Sequence, residues 1–190
     1  MQRRQVLASL SAVAVATACA PIPSDTALSP AERSALRIST FEVVTSAAAF
    51  LNAGAQDVRN LLAPDLQGVL RREFSDRVAQ AGGWTMQVEV GRLAVASATR
   101  TALGSDRSEL AGSVRLIDPS GTLRASVPIA VSAGDAAESV LGGAASAITG
   151  SRSQFYRQLL GTFARDTRST ILGRDLPGER LVRRTRSALE

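Results

Sequence analysis

The sequence predicts an α+β fold of two layers, in which a sheet of roughly four strands carries two main helices on one face, in the order β-α-β-β-β-α. Apolar residues recur every three or four positions over 57–81 and again over 151–172, which is typical of amphipathic helices. Between 84 and 131, apolar and polar residues alternate in three successive runs, which is typical of strands with one buried face. One sheet under two helices buries all of these apolar stripes, so we expect a single domain over 36–173.

The first half of this domain is predicted to be a strand followed by a helical region. Arg37 to Val44 carries the apolar residues of the first strand. A short helix is expected up to Leu62, and the main helix from Pro64 to Ala81, because proline is tolerated in a first helical turn. Gly82-Gly83 is expected to end that helix.

The second half is predicted to be a three-stranded meander and a final helix. Its first strand starts at Trp84, with a shift in register near Gly91. The segment 118–121, Asp-Pro-Ser-Gly, has the residue order of a type I turn and predicts a hairpin. Pro128 lacks an N–H, which places the last strand at an edge or at a bulge. The final helix is expected to stop at Gly173.

The composition argues against most catalytic chemistry. All 22 basic residues are arginine, there is no histidine, and Cys19 is the only cysteine among 190 residues. The chain therefore lacks an imidazole base, a lysine for a Schiff base, and the pair of cysteines needed for a CxxC site. We expect no enzyme activity, no catalytic residues, no metal site and no cofactor.

The N-terminus has the pattern of an export signal. Arg3 and Arg4 precede Val6–Thr17, an uncharged stretch of 12 residues. That stretch is too short to span a bilayer, which needs about 20 apolar residues, and it has the usual length of a signal-peptide core. Residues 1–18 are therefore predicted to be a signal peptide. The arginine pair also resembles a twin-arginine export motif, so both export routes stay open.

Small residues lead from this stretch into the only cysteine. Ala16-Thr17-Ala18-Cys19 resembles a bacterial lipobox, with alanine at position 16 where leucine is commoner. The resemblance implies cleavage before Cys19 and attachment of a lipid to its thiol. Ordinary signal-peptidase cleavage and an uncleaved anchor remain as alternatives.

Two segments flank the predicted domain. Residues 19–35 contain three prolines without apolar periodicity and are predicted to be a tether between lipid and domain. The tail 174–190 is rich in arginine, and its residues Arg180, Arg183, Arg184 and Arg186 could contact lipid head groups or a partner, or simply be solvated. Export argues against nucleic acid as the partner.

A lipobox, a proline-rich tether and this element order together resemble small envelope lipoproteins of Gram-negative bacteria, such as auxiliary lipoproteins of transport systems and activators of cell-wall synthases. The matching elements are 37–44, 64–81, 86–96, 109–131 and 151–172. The resemblance implies a non-enzymatic adaptor that faces the periplasm, is anchored in a membrane (the outer one more than the inner) through Cys19, and binds an envelope protein. The alternative is a carrier that holds a small apolar ligand between sheet and helices.

Overall fold

The computed structural model describes residues 27–96, 108–133 and 152–174. Within them it confirms the predicted α+β fold. The elements in chain order are helix α1 (Pro30–Ala35), strands β1 (Ile38–Val44) and β2 (Ala49–Phe50), helices α2 (Ala53–Asp57) and α3 (Leu62–Glu73), a 3-10 turn (Ser75–Arg77), strands β3 (Trp84–Ala94), β4 (Ser108–Ile117) and β5 (Leu123–Ala133), and helix α4 (Arg152–Leu172).

The sheet has the strand order β1-β3-β4-β5, and the two-residue β2 pairs with the last part of β3. β1 and β3 are parallel because the connection between them contains helices, whereas β3, β4 and β5 form antiparallel pairs. Alternate residues of these strands lie on one buried face, for example the neighbours Met86 and Leu116 and the neighbours Val88 and Val114. Their sequence neighbours Gln87 and Arg115 lie on the opposite face, where Arg115 is exposed.

Both long helices pack on the buried face of the sheet, as predicted. α3 contributes Leu62, Leu66 and Leu70, spaced four residues apart and each fully buried. α4 contributes Leu159 and Phe163 at the same spacing and burial. These side chains belong to one continuous hydrophobic cluster with the buried residues of the sheet, so the domain has a single core between its two layers.

The hairpin between β4 and β5 confirms the predicted turn. The Gly121 N–H donates to the Asp118 carbonyl at 2.9 Å, and Gly121 has a φ of 84° that favours glycine. The Asp118 carboxylate accepts hydrogen bonds from Ser120 N–H (2.8 Å), Thr122 N–H (3.0 Å) and Arg124 Nε (2.7 Å). The Asp118 side chain therefore fixes the conformation of the hairpin turn through hydrogen bonds to nearby residues.

The register shift predicted near Gly91 is present between Val90 and Arg92. Gly112 of β4 pairs with Val90 at this shift, and the two strands lie so close that a Cβ at Gly112 would be 2.5 Å from the Glu89 carbonyl oxygen. The bulge thus brings two backbones together at a position only glycine can occupy.

Residues 27–35 differ from the predicted tether. Leu28 is buried in the core, and α1 begins at Ser29 with a capping box in which Ser29 and Glu32 bond to each other's backbone N–H. The folded domain therefore begins at least nine residues before the predicted start at residue 36. A six-residue helix with no buried residue of its own shows no apolar period in the sequence, which is why the pattern missed it.

The main helix also ends earlier than predicted, at Glu73 rather than Ala81. Val78 lies in a short bridge beside Ile38, and the Ala79 N–H donates to the Ile38 carbonyl at 2.9 Å. The Gln67 side chain donates to the Phe41 carbonyl at 2.7 Å. Two carbonyls of β1 therefore already accept hydrogen bonds, one from α3 and one from the segment after it. That segment lies along the edge of β1 instead of continuing the helix.

Pro128 lies in β5, which is the last strand in the sheet order, in agreement with the prediction of an edge strand. It stands opposite Ser113 of β4. Because proline has no N–H, it leaves β5 with one donor fewer near its middle.

Candidate functional site

The domain has two ends with different surfaces. We call the end at which β1 and β3 begin the entry end, because Ala27, the first described residue, lies there. We call the opposite end, formed by β2, α2 and the last residues of β3, the far end. α3 and α4 both run from the far end to the entry end, since α3 returns from β1 to β3 and α4 ends beside Ala27.

The entry end holds the described N-terminus and the end of the last helix side by side. The Ala27 N–H donates to the Thr170 carbonyl at 3.1 Å, and Arg33 Nη1 donates to the Leu172 carbonyl at 3.3 Å. Ala27, from which the sequence continues back to Cys19, and Leu172, two residues before Arg174, therefore lie at the same end of the domain.

Arginine side chains fasten α1 to this end. Arg77 donates to the carbonyls of Arg33 (3.2 Å) and Ser34 (3.3 Å), which are among the last of α1. Arg168, whose side chain is almost fully buried, binds the Asp76 carboxylate through both terminal nitrogens at 2.8 and 2.9 Å. Its guanidinium also lies 5.5 Å from the centre of the Phe74 ring. These arginines are thus structural, and they hold α1, α3 and α4 together.

Mostly apolar residues are neighbours in the strand register at the same end of the sheet; Ile38 among them is fully buried, and Ile117 alternates with the buried Leu116. The pairing places Val78 beside Ile38, Ile38 beside Trp84, Thr85 beside Ile117, and Ile117 beside Leu123. At about 4.8 Å per strand, the row from Val78 to Leu123 spans about 19 Å. We call it the entry row. Leu123 is 52% exposed, Val78 is 41% exposed, and Trp84 is half-buried.

Exposed arginines border the entry row, whereas the carboxylates nearby are bonded. Arg37, Arg124 and Arg174 are exposed. Asp118 is nearly buried, and hydrogen bonds from the Ser120 hydroxyl, and then from Arg124 and two backbone N–H groups, hold its pKa well below the usual range for a carboxyl. The Ser29 side chain likewise lowers the pKa of Glu32. The entry end therefore presents apolar groups beside arginine.

The far end carries the other two exposed leucines of the described chain, Leu51 (57%) and Leu61 (54%). The Asn52 side chain fixes this corner, because its oxygen accepts from the N–H groups of Ala55 (2.9 Å) and Val95 (3.1 Å). Arg59 lies over the half-buried Phe50 ring at 5.1 Å. We call Phe50, Leu51 and Leu61 the far patch.

Within the helix layer, a polar pair joins the two long helices near the far end, where both begin. The Tyr156 hydroxyl donates to the Asp65 carboxylate at 3.1 Å. Burial, and then the negative charge of Asp65, raise the pKa of Tyr156 above its usual range, so the phenol remains a hydrogen-bond donor. The pair ties α4 to α3.

The space in which a carrier would hold an apolar ligand is occupied, in the described ranges, by side chains of the core cluster. The described residues include no group of three or more cysteine or acidic residues placed to bind a metal. No described helix is long and apolar enough to cross a membrane.

The residues that sequence reasoning singled out lie outside the described ranges. These are Cys19, the signal residues Arg3, Arg4, Ala16, Thr17 and Ala18, and the tail residues Arg180, Arg183, Arg184 and Arg186. The structure instead assembles two surfaces that the sequence did not indicate, the entry row at one end of the domain and the far patch at the other. Trp84 is partly buried and packs against the core cluster, and its position at the start of a predicted strand, after Gly82-Gly83, is the one sequence signal for the entry row.

The chain was also compared with known proteins. No protein-family profile and no curated protein matches it. Two structures of dodecameric PelC from Paraburkholderia phytofirmans align with TM-scores of 0.35, at 12% and 9% identity, covering 68% and 74% of this chain and 88% and 91% of PelC. A proposed lipoprotein from Caulobacter crescentus aligns with a TM-score of 0.34 at 20% identity, covering 68% of this chain and 85% of its own. These similarities are too low to assign a fold or a function.

Proposed function

We propose that this protein is a lipid-anchored lipoprotein of the bacterial cell envelope, attached through Cys19, whose domain faces the periplasm and binds another envelope component without catalysing a reaction. The observation that carries the proposal is the position of the only cysteine, directly after an arginine-led uncharged stretch of 12 residues and the small residues Ala16-Thr17-Ala18. An outer-membrane location is preferred to an inner-membrane one on the resemblance to envelope lipoproteins.

The length of chain after Cys19 supports anchoring close to the membrane. Ala27 already bonds to the domain, and only the seven residues 20–26 lie between it and Cys19, which makes eight steps along the chain. Fully extended, they span at most about 26–29 Å. A lipid on Cys19 therefore holds the domain within that distance of the membrane surface, with the entry end nearest to it.

The adaptor role is favoured over the carrier role by the distribution of apolar side chains. In the described ranges, buried side chains of the sheet and of the helices form one cluster between the layers, while Leu51 and Leu61 expose apolar surface at the far patch. A contiguous exposed apolar patch is typical of contact sites for other proteins, and we assign that role to the far patch. Since the far patch lies opposite the entry end, a partner there does not compete with the membrane.

Membrane fractionation of a Cys19→Ser variant tests the anchor. We expect this variant to accumulate as precursor or to move to the soluble fraction, because serine cannot receive the lipid. Ala20→Ser is the matched control and should remain in the membrane with normal processing. A Cys19→Ser protein that matures normally and stays in the membrane pellet contradicts the lipoprotein proposal.

Site-specific photo-crosslinking in intact cells tests the adaptor role. We expect a photoreactive residue at Leu51 or Leu61 to give a discrete crosslinked protein species. Ala130, exposed on the open face of the sheet, is the control position. The proposal fails if positions 51 and 61 give no crosslink, or if Ala130 gives the same products with equal yield.

A further inference from the structure

We propose that the entry row and the arginines around it form a second membrane contact, in which the entry end rests on the anionic head-group region of the bilayer that holds the lipid. This inference rests on the proposed anchor at Cys19. It adds a defined orientation of the domain, with Trp84 and Leu123 at the membrane surface.

The composition of the entry row fits an interface between water and lipid. Leu123 and Val78 expose aliphatic side chains, and Trp84 combines an apolar ring with an N–H donor. Tryptophan is enriched where one side of a residue is apolar and the other is wet. The far patch has exposed leucines but no tryptophan among its residues, so the two ends differ in kind.

Charge selects an anionic surface as the occupant. Arg37 and Arg174 are exposed at the entry end, while Arg124 is paired with Asp118 and Arg168 with Asp76, so the two pairs cancel and Arg37 and Arg174 leave this end positive. Each arginine close to an anionic leaflet contributes about 1 kcal/mol, which is roughly a fivefold change in an equilibrium.

Geometry brings this surface to the membrane. The chain towards Cys19 leaves beside Thr170, at the end that carries the row. Because the eight steps from Cys19 to Ala27 reach at most about 26–29 Å when extended, the entry end cannot move far from the leaflet. The anchor thus keeps the row at high effective concentration near the head groups.

The test uses Trp84, the only tryptophan, as a local reporter. The purified lipid-bearing protein is placed in vesicles of phosphatidylcholine with or without phosphatidylglycerol, with part of the lipid brominated on its acyl chains to quench tryptophan on contact. We expect quenching of Trp84 in the anionic vesicles, and less in neutral vesicles or at high salt, because salt screens exposed charges.

Two exposed leucines provide matched variants. Leu123→Asp is expected to shift the balance from contacting to lifted orientations by about tenfold and so to abolish most of the quenching. Leu51→Asp makes the same change at the far patch and should leave the quenching unaltered. Both positions are more than half exposed, so neither variant should unfold the domain. Far-ultraviolet circular dichroism checks this.

The outcomes separate the two proposals. Flotation of the vesicles in a density gradient shows whether the protein is bound to them. If the protein floats but Trp84 is not quenched, or if Leu123→Asp and Leu51→Asp reduce the quenching of Trp84 equally, the membrane contact is overturned while the anchor stands. The first of these results leaves an acidic protein as the occupant of the entry end. If the protein does not float at all, the anchor and the inference both fail.

Discussion

Leu28 provides the sharpest test of where the folded domain begins. It is 2% exposed and belongs to the core cluster, although it lies in a segment predicted to be a tether. Leu28→Ala removes three carbon atoms, worth about 2.4 kcal/mol at about 0.8 kcal/mol per methylene. A residual cavity adds to this, and movement of α1 at the domain edge subtracts from it, so we expect the free energy of unfolding to fall by about 2–3 kcal/mol.

Urea unfolding followed by Trp84 fluorescence and by circular dichroism measures this change, and the two signals should coincide. Leu123→Ala is the matched control, because Leu123 is 52% exposed and its truncation should change the free energy by no more than about 0.5 kcal/mol. If Leu28→Ala costs no more than Leu123→Ala, residues 27–35 do not pack on the domain, and the short distance between Cys19 and the entry end is wrong.

Three further predictions concern the domain itself. Gly112→Ala should lower the free energy of unfolding by about 1–3 kcal/mol, because its Cβ would lie 2.5 Å from a backbone oxygen. Gly91→Ala is the control and should change this free energy little, because its Cβ would lie 3.6 Å from the nearest atom. Equal denaturation midpoints for the two variants would contradict the packing. Gly161→Ala in α4 should stabilise by about 0.5–1 kcal/mol in thermal melts, because the added methyl meets only the end of the Arg165 side chain at 3.9 Å; a lower melting temperature would argue against this. The pKa of Asp118 is lowered in the folded state, so its ionised carboxylate stabilises the fold. This contribution to the free energy of unfolding is fully present above the pKa of the unfolded state, about 3.9, and is lost as the pH falls below that value. The difference in denaturation midpoint between wild type and Asp118→Asn should therefore shrink below about pH 4, and a constant difference would exclude this titration.

Local chemistry explains which parts of the fold were predictable. The turn at 118–121 is specified by hydrogen bonds that the Asp118 carboxylate accepts from the backbone N–H groups two and four positions later, so a few consecutive residues suffice to predict it. The register shift at Gly91 and the stop at Gly173, whose φ is 90°, follow equally from single glycines. Such features need no knowledge of the rest of the chain.

The missed features depend on contacts between distant segments. α1 is held by Arg77, more than 40 residues away, and by the end of α4, so nothing near residues 30–35 indicates that they pack. The main helix stops at Glu73 because the segment around Val78 pairs with β1, which the apolar period of 57–81 cannot show. The entry row needs four strands in register. The proposed lipid attachment at Cys19, by contrast, rests on the sequence alone.

The closed edge of β1 has a consequence for molecules that share a membrane. Attachment to a bilayer confines copies to two dimensions, so they collide far more often than the same number of copies in solution. An open strand edge would then recruit a neighbouring sheet. Gln67 and Ala79 already occupy carbonyls of β1, and Pro128 interrupts the donors of β5. The sheet is therefore poorly suited to growth from either side, which allows the domain to be crowded on a surface without joining its copies strand to strand.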